Sequence, residues 1–457
     1  MATGVFARTA TGGAVAREGF EYQDSFVLQH LPQWLAQEAF SHVVSETRGD
    51  VEVCYYGGPG KVLRTLFEAK NHELSAAAFW AEVRDFKNIH AESEHEYSRF
   101  GLVCRDYANP VRPLLNMLER LRGVVTSHPE GSPVLRDARQ QVREWMATKD
   151  QADIADFVLE RVDFITFAAE AADAAFAGEF DAHFRTLDLR STERTAVKES
   201  FKTLIAESSV RPISRIDLES AIASASTGAA EAWGRAPRRL HLSKGAWTDL
   251  TLPLENFDGP DRANLSPQAW QELRTQAESH ATFLKDSSKR RQLLVDGKHR
   301  MSSSCLVGFS YSAVRGFHLQ IEHNGFTYRT DNHTRTDGQF FTVDRLPGDS
   351  SKEGVVAIGF PTAVGDDVNI APLSRLPRLD LKSPRVIDGT PAANLAVAQA
   401  KDEMVRFRSE LGITKLHLFV KAPSVFAMLL GYRLNGLGAL QLYDWVDTGY
   451  VATTPLG

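Results

Sequence analysis

The sequence predicts an α/β protein of two domains: a helix-and-meander core with a helical extension, then two tandem units of parallel strands and crossover helices. Three observations predict it. The order helix, three strands, helix, strand can be read over residues 19–104, the small-residue stretch Ile222–Ala232 (IASASTGAAEA) reads as a linker, and the order of elements repeats beyond residue 240.

Residues 19–38 space Phe20, Val27, Leu28, Leu31, Trp34 and Leu35 as one amphipathic helix, with Pro32 as its kink. Three short apolar runs follow, Phe40–Glu46, Asp50–Tyr56 and Val62–Lys70, the last two joined by the turn Gly57-Gly58-Pro59-Gly60. Ser75–Glu92 carries Phe79, Val83, Phe86 and Ile89 on one helical face, and Phe100–Cys104 reads as a buried strand. From Pro110 to about Ala230 the pattern is helical throughout, and Gly234-Arg235-Ala236-Pro237 closes the linker, placing a boundary between 225 and 240.

In the first copy of the repeat, strand Asp249–Leu254 leads to a helix begun by Ser266-Pro267, strand Gln292–Val295, helix Ser302–Arg315 and strand Phe317–Glu322. In the second, strand Val355–Phe360 leads to helix Pro391–Leu411, strand Leu416–Val420, helix Ser424–Leu434 and strand Ala439–Trp445. The second helices, SSSCLVGFSYSAVRG (302–316) and SVFAMLLGYRLNGLG (424–438), each place one glycine midway and another at the end. The predicted domains are residues 1–230 and 240–457, the latter in halves 240–345 and 350–457.

Composition narrows the function classes. The 457 residues are 43% hydrophobic and 24% charged, the balance of an ordinary globular chain. Cys54, Cys104 and Cys305 form no CxxC, which fits a reducing compartment and gives no zinc framework. The first twenty residues lack a signal-peptide apolar core, and no apolar run of about 18 residues occurs, so a cytoplasmic protein without a membrane span is expected. A net charge of -6 argues against a general polyanion binder, so nucleic-acid contact must come from a local basic surface or a metal.

Counting outward from the Gly58–Gly60 loop pairs Gly57 with Lys61 and sets Asp50 opposite Glu68, with Lys70 on the same face two residues on. Two carboxylates so placed repel when ionised, and a hard divalent cation with oxygen ligands, Mg²⁺ or Mn²⁺, relieves them. Such a metal beside an ammonium is equipped for phosphodiester hydrolysis. The same three letters also fit a solvated strand face with a surface salt bridge. The acid and histidine run His90, Glu92, Glu94, His95, Glu96 closes a helix and reads as a solvated end, and Gly57–Gly60 lacks the Lys-Ser/Thr of a phosphate loop.

This arrangement resembles the core of the PD-(D/E)XK, restriction-endonuclease-like superfamily. Asp50 and Phe67-Glu68-Ala69-Lys70 stand where that family carries its metal-binding Asp and its Glu-x-Lys, and Gly19-Phe20-Glu21-Tyr22-Gln23 resembles the first-helix signature of one branch. The resemblance implies Asp50 and Glu68 as metal ligands, Lys70 as the water-positioning or charge-stabilising group and Gln23 as an auxiliary. No Pro precedes Asp50, and Glu46 and Glu52 compete as ligands.

In the second domain, strand 416–420 runs into Lys421-Ala422-Pro423-Ser424 at a helix start, a geometry that cradles anions, and the first copy's counterpart is Asp296–Ser302. Any α/β junction also needs cap residues there. The stretch LHLFVKAPSVFAMLLGYRLNGLGALQLYDWVDTGY (416–450) resembles the C-terminal signature of SAVED domains, paired Rossmann-like (CARF-like) units that sense cyclic oligonucleotides in CBASS anti-phage systems. That implies a cyclic di- or trinucleotide as activating ligand, and loop position makes Lys421, Pro423 and Ser424, with Lys298 and Arg300 opposite, the candidate contacts. Together the resemblances imply a defence effector whose metal-dependent nuclease degrades double-stranded DNA once ligand promotes self-association. Two alternatives are a nucleotide-sensing adaptor with a dead nuclease fold and a constitutive restriction-like nuclease.

Overall fold

The computed structural model describes residues 5–208, 211–364, 367–368 and 370–457. They fall into two compact units, Met1–Trp233 and Gly234–Gly457.

The first unit starts with helix α1 (Val5–Ala36), strands β1 (Phe40–Ser45), β2 (Val51–Tyr56) and β3 (Val62–Leu74), helix α2 (Ala76–Glu92) and strand β4 (Tyr97–Tyr107). Helices α3 (Arg112–Ser127), α4 (Pro133–Ala147) and α5 (Ala155–Arg161) lead to β5 (Val162–Thr166), and α6 (Ala169–Phe184) and α7 (Ser191–Ala206) lead to β6 (Ile213–Ser214), α8 (Arg215–Ser224) and α9 (Thr227–Arg235). One sheet results, in the order β5-β4-β3-β2-β1-β6. β1, β2 and β3 form the antiparallel meander, while β4 and β5 add in parallel.

Alternation along β3 sends neighbouring residues to opposite faces, and a helix covers each. Phe67 meets Phe26 and Trp34 of α1 at centroid separations of 5.2 and 5.8 Å. Leu66 belongs instead to the cluster that holds Phe79, Val83 and Phe86 of α2 with Phe100 and Leu102. Phe20, expected on the apolar stripe of α1, is 50% exposed; Tyr22 and Phe26, four residues apart, take the buried face.

The region after residue 110 is not all helical, since β5 and β6 complete the two edges of the sheet. Both are short and lie between helices, so neither shows a run long enough to set a period of two.

The second unit opens with β7 (Arg238–Arg239), α10 (Glu255–Asp258), α11 (Pro267–Ser287), β8 (Gln292–Asp296), α12 (Met301–Ser310), β9 (His318–His323) and β10 (Phe326–Arg329). These strands form a sheet ordered β10-β9-β8-β7. The second copy comprises β11 (Thr342–Leu346), β12 (Glu353–Gly359), β13 (Arg378–Lys382), α13 (Thr390–Leu411), β14 (Lys415–Lys421), α14 (Ser424–Arg433), β15 (Ala439–Val446) and β16 (Gly449–Leu456), in a sheet ordered β11-β13-β12-β14-β15-β16. The predicted strand 249–254 is not formed. Leu250, Leu252 and Leu254 are buried in alternation, but Pro253 has no N–H to give and the pairing reduces to one bridge, His241 with Thr251. β13 escaped notice because Arg378, Asp380 and Lys382 interrupt its apolar residues; Arg378 Nε donates to Asp380 Oδ1 at 2.5 Å, which makes that buried carboxylate tolerable.

The two copies meet through α12 and α14, and the midway glycines are what lets them. A Cβ on Gly308 would run into the carbonyl oxygen of Met428, and one on Gly431 into that of Cys305. Each helix lays its bare backbone against the other. Gly308→Ala and Gly431→Ala should therefore each destabilise the second unit, by roughly 1–3 kcal/mol for overpacking a closed contact. Gly178→Ala, inside α6 where a Cβ meets nothing, should stabilise by about 0.5–1 kcal/mol. Denaturant unfolding of the three variants checks both signs.

Candidate functional site

The first-unit site begins at the turn between β1 and β2. Glu46 N–H donates to the Asp50 carbonyl at 3.0 Å, and Glu46 adopts a left-handed φ of 57°. Gly49 packs so closely on β3 that a Cβ would meet the Leu66 side chain at 2.7 Å and the Phe67 carbonyl oxygen at 3.3 Å. That approach carries Asp50 onto β3, where its Oδ2 accepts from Ala69 N–H at 2.6 Å. The register is the one counted from the turn, with Val51 opposite Phe67 and Tyr56 opposite Val62.

Lys70 Nζ lies 2.5 Å from Glu68 Oε1 and 3.2 Å from Glu82 Oε1. Burial works against the Lys70 ammonium, but its bonds to Glu68 and Glu82 outweigh burial and raise its pKa. Asp50 is lifted to about 6 by burial and by Glu68 and Glu46, against the pull of Ala69 N–H and Lys70. Asp24 of α1, although exposed, is likewise lifted to about 6, by partial desolvation first and then by Glu21 and Glu46. Gln23 is half-buried beside it on α1 and makes no hydrogen bond among the described residues.

Of the competing acids, Glu52 is engaged elsewhere: it is buried, accepts from Tyr97 Oη at 3.1 Å and lies 3.6 Å from Arg64 Nε. Glu46 stays within electrostatic reach of Asp50. Among the described residues no group of three or more His, Cys, Asp or Glu is gathered to cage a metal ion. Two carboxylates and no sulfur or imidazole make an open, all-oxygen set. This donor chemistry fits Mg²⁺, which keeps several waters and takes substrate phosphates as remaining ligands. Glu82 and Asp24 were missed in the sequence. Glu82 had a signal: three residues after Phe79 and four before Phe86, it is an acid on the apolar face of α2.

In the second unit, Arg300 and Lys421 line one cavity of about 450 Å³ together with Met301, Asp367, Trp445 and Tyr450. Trp445 is 42% exposed and meets Tyr450 edge to face at 5.1 Å. Lys421 Nζ is 3.4 Å from Asp367 Oδ2. Lys298 lines a different cavity, of about 490 Å³, with Arg239 and Glu322. Pro423 holds the cap position of α14, and buried Ser424 donates its hydroxyl to the Gly297 carbonyl, tying the two copies' loops together. The start of α12 is taken by internal acids: Asp444 Oδ1 accepts from Ser302 N–H at 2.9 Å, and Asp258 Oδ1 accepts from Arg300 N–H at 2.9 Å. Burial raises the pKa of Asp444. Trp445 and Tyr450 were not singled out, because the exposure of Trp445 on an otherwise buried strand is visible only in the structure.

Comparison with known proteins assigns a class to each unit. Residues 11–211 match the family model described as "Cap4, dsDNA endonuclease domain", and residues 276–454 match "SMODS-associated and fused to various effectors sensor domain", SAVED. The protein is thus an endonuclease domain joined to a SAVED sensor domain, and both resemblances read from the residues are borne out. It is 44% identical over 462 residues, covering 100% of both chains, to CD-NTase-associated protein 4 of Moraxella osloensis and, to the same extent, to that of an Acinetobacter species. Solved structures agree. The Acinetobacter baumannii Cap4 receptor with the cyclic trinucleotide 3'3'3'-cAAA superposes at a TM-score of 0.90 with 42% identity, over 96% of this chain and 98% of that one. The Moraxella osloensis receptor superposes at 0.86 with 43% identity, over 97% and 100%. The chain belongs to the CD-NTase-associated protein 4 (Cap4) family.

The raised pKa of Asp50 has a measurable sign. Its folded value of about 6 lies above its ordinary 3.8, so the ionised group opposes folding above pH 6, and the penalty fades as pH falls toward 4. In chelator, Asp50→Asn should stabilise the protein at pH 7.5 by about 1 kcal/mol, a figure discounted for partial solvent screening, and leave it unchanged near pH 4. Denaturant unfolding at the two pH values reads the difference.

Proposed function

We propose that the chain is an anti-phage effector whose Met1–Trp233 unit cuts double-stranded DNA when the Gly234–Gly457 unit binds a cyclic oligonucleotide. The observation that carries the reading is the convergence of Asp50, Glu68 and Lys70 at the β2–β3 register, in a chain of the Cap4 family. A cyclic trinucleotide is favoured over a dinucleotide, because the Acinetobacter baumannii receptor is solved with both 3'3'3'-cAAA and 2'3'3'-cAAA.

Asp50 and Glu68 would hold Mg²⁺ or Mn²⁺, which supplies a polarised phosphate oxygen and a water of lowered pKa. Lys70, released from its bond to Glu68, would orient the attacking water and offset charge on the phosphorus-bound oxygens as the P–O bond to the departing sugar oxygen breaks. Gln23 would assist from α1. In the second unit Arg300 and Lys421 would meet ligand phosphates, and Trp445 and Tyr450 would offer faces for its bases. Pro423, Ser424 and Lys298 would act from behind by fixing the loops that present those groups. The switch would be self-association, biased by tighter ligand binding to the assembled form. No helix among the described residues is long and apolar enough to cross a membrane, in keeping with a cytoplasmic site of action.

Incubating plasmid DNA with the purified chain, Mg²⁺ and a panel of cyclic di- and trinucleotides tests this. Degradation should require Mg²⁺ and one particular nucleotide, and Lys70→Ala and Asp50→Ala should each reduce it by a factor on the order of 10² or more while nucleotide affinity holds. Cutting without nucleotide would favour the constitutive nuclease. Nucleotide binding without cutting would favour the adaptor.

A further inference from the structure

At the far end of α14 from Lys421, about 15 Å away along the ten-residue helix, lies a cavity of about 530 Å³ that the proposed function leaves unused. Its walls bring together Arg335, Lys401 and Arg433, and Asp402 is the only acid among its described lining residues. Among the described residues none of the three cations makes an ion pair. Asp331, close by, is already bound by Arg329 at 2.8 Å.

Two of the cations sit on anchored backbone. The segment carrying Arg335 is pinned to α13, because Asn394 Nδ2 donates to the carbonyls of Asn332 at 2.6 Å and Thr334 at 2.9 Å. Arg433 closes α14 and is half-buried; burial first and the Arg335 guanidinium second hold its pKa below the ordinary arginine range. Asn435, which also lines the cavity, has a buried Nδ2 with no acceptor. The negative end of α14 is worth about half a charge, too little to balance three cations. Two guanidiniums on one cavity wall, with no carboxylate among the described residues paired to either and an unanswered amide donor beside them, lack an anion.

We propose that this cavity is an anion site for a small phosphate-bearing molecule, its phosphate held between Arg335 and Arg433 with Lys401 and the Asn435 amide as further donors. Planar guanidiniums suit phosphate oxygens, and the volume lies in the range of small-molecule sites. The apolar wall of Ala313, Val314 and Ala398 leaves room for a base or sugar beside the phosphate.

Calorimetric titration of the full chain with inorganic pyrophosphate and, separately, AMP in low-chloride buffer tests the site. Saturable one-to-one binding with a Kd on the order of 1 mM or tighter is expected, weakened at least tenfold, or about 1.4 kcal/mol, in Arg433→Gln and in Arg335→Gln. Tighter binding of AMP than of pyrophosphate would assign a nucleotide, and the reverse a free phosphate compound. Because Arg433 is half-buried, the exposed Arg335 carries the test should Arg433→Gln unfold, and thermal melts identify that case. Absence of saturable heat at about 10 mM overturns the proposal. So does binding that survives Arg335→Gln but is lost in Lys421→Gln, which would place the anion in the other cavity and leave the reading of that cavity intact.

Discussion

The hydrogen bond from Ala69 N–H to Asp50 organises the first unit's chemistry. A carboxylate beside other carboxylates would normally swing into water, and Asp50 is kept at the sheet because a backbone donor of β3 and the Gly49 turn leave it no other place. The consequences run outward from there. Once Asp50 is fixed, Glu68 faces it by register and Lys70 follows by alternation, so the three side chains of the candidate site are set by one hairpin rather than by loops. The helices on the two faces do the remaining work: α1 holds Phe67, and α2 brings Glu82 to the ammonium.

The second unit relies on a different constraint, the close approach of α12 and α14. Bare backbone at Gly308 and Gly431 brings the two helices together along a shared seam. The loops that precede them then lock to each other's copy: Ser424 reaches the Gly297 carbonyl, and Ser302 reaches Asp444. These links are not equivalent. The start of α14 uses a hydroxyl donor, which leaves its N–H groups unopposed by charge, whereas the start of α12 is covered by two carboxyl groups. A repeat that looked symmetric in order is therefore polarised in chemistry, and its cationic side chains Arg300 and Lys421 project into one shared cavity instead of two facing cradles.

Much of this was legible in residue order. The hairpin register followed from one turn, because a period of two leaves no freedom once the loop is chosen. The glycines of the repeat were visible as letters, but their purpose required knowing which backbone they face. The edge strand β6 could not be read, since two residues become a strand only through the partner that accepts them, and β5 follows α5 without a break that would mark its start. The same holds for the candidate ligand cavity. Position before a helix picks out Arg300 and Lys421, which line one cavity, while Lys298 by the same reasoning lines a neighbouring one, because two residues of loop suffice to turn a side chain away.

A net charge of -6 sets the last constraint. An acidic chain that handles polyanions has to confine its positive charge to defined places, and the two units do so by opposite means. In the first, acids dominate: Glu68 and Glu82 bind the lysine, Asp50 stands beside them, and Glu46 lies within electrostatic reach of both Asp50 and Asp24. Such a site repels a phosphate backbone as it stands, and the same neighbouring acids add to the desolvation that raises the pKa of Asp50 and Asp24. An added divalent cation would reverse that field, so in the proposed mechanism the acidity of this site and its use of a metal are one electrostatic argument. In the second unit the charge is built into the chain, as arginines and a lysine at helix ends beside aromatic or apolar walls. It needs no metal to attract a phosphate. Under the proposed function, phosphate recognition in the second unit would not depend on the ion used for cleavage, so the signal could be bound before, and separately from, the formation of a competent nuclease site.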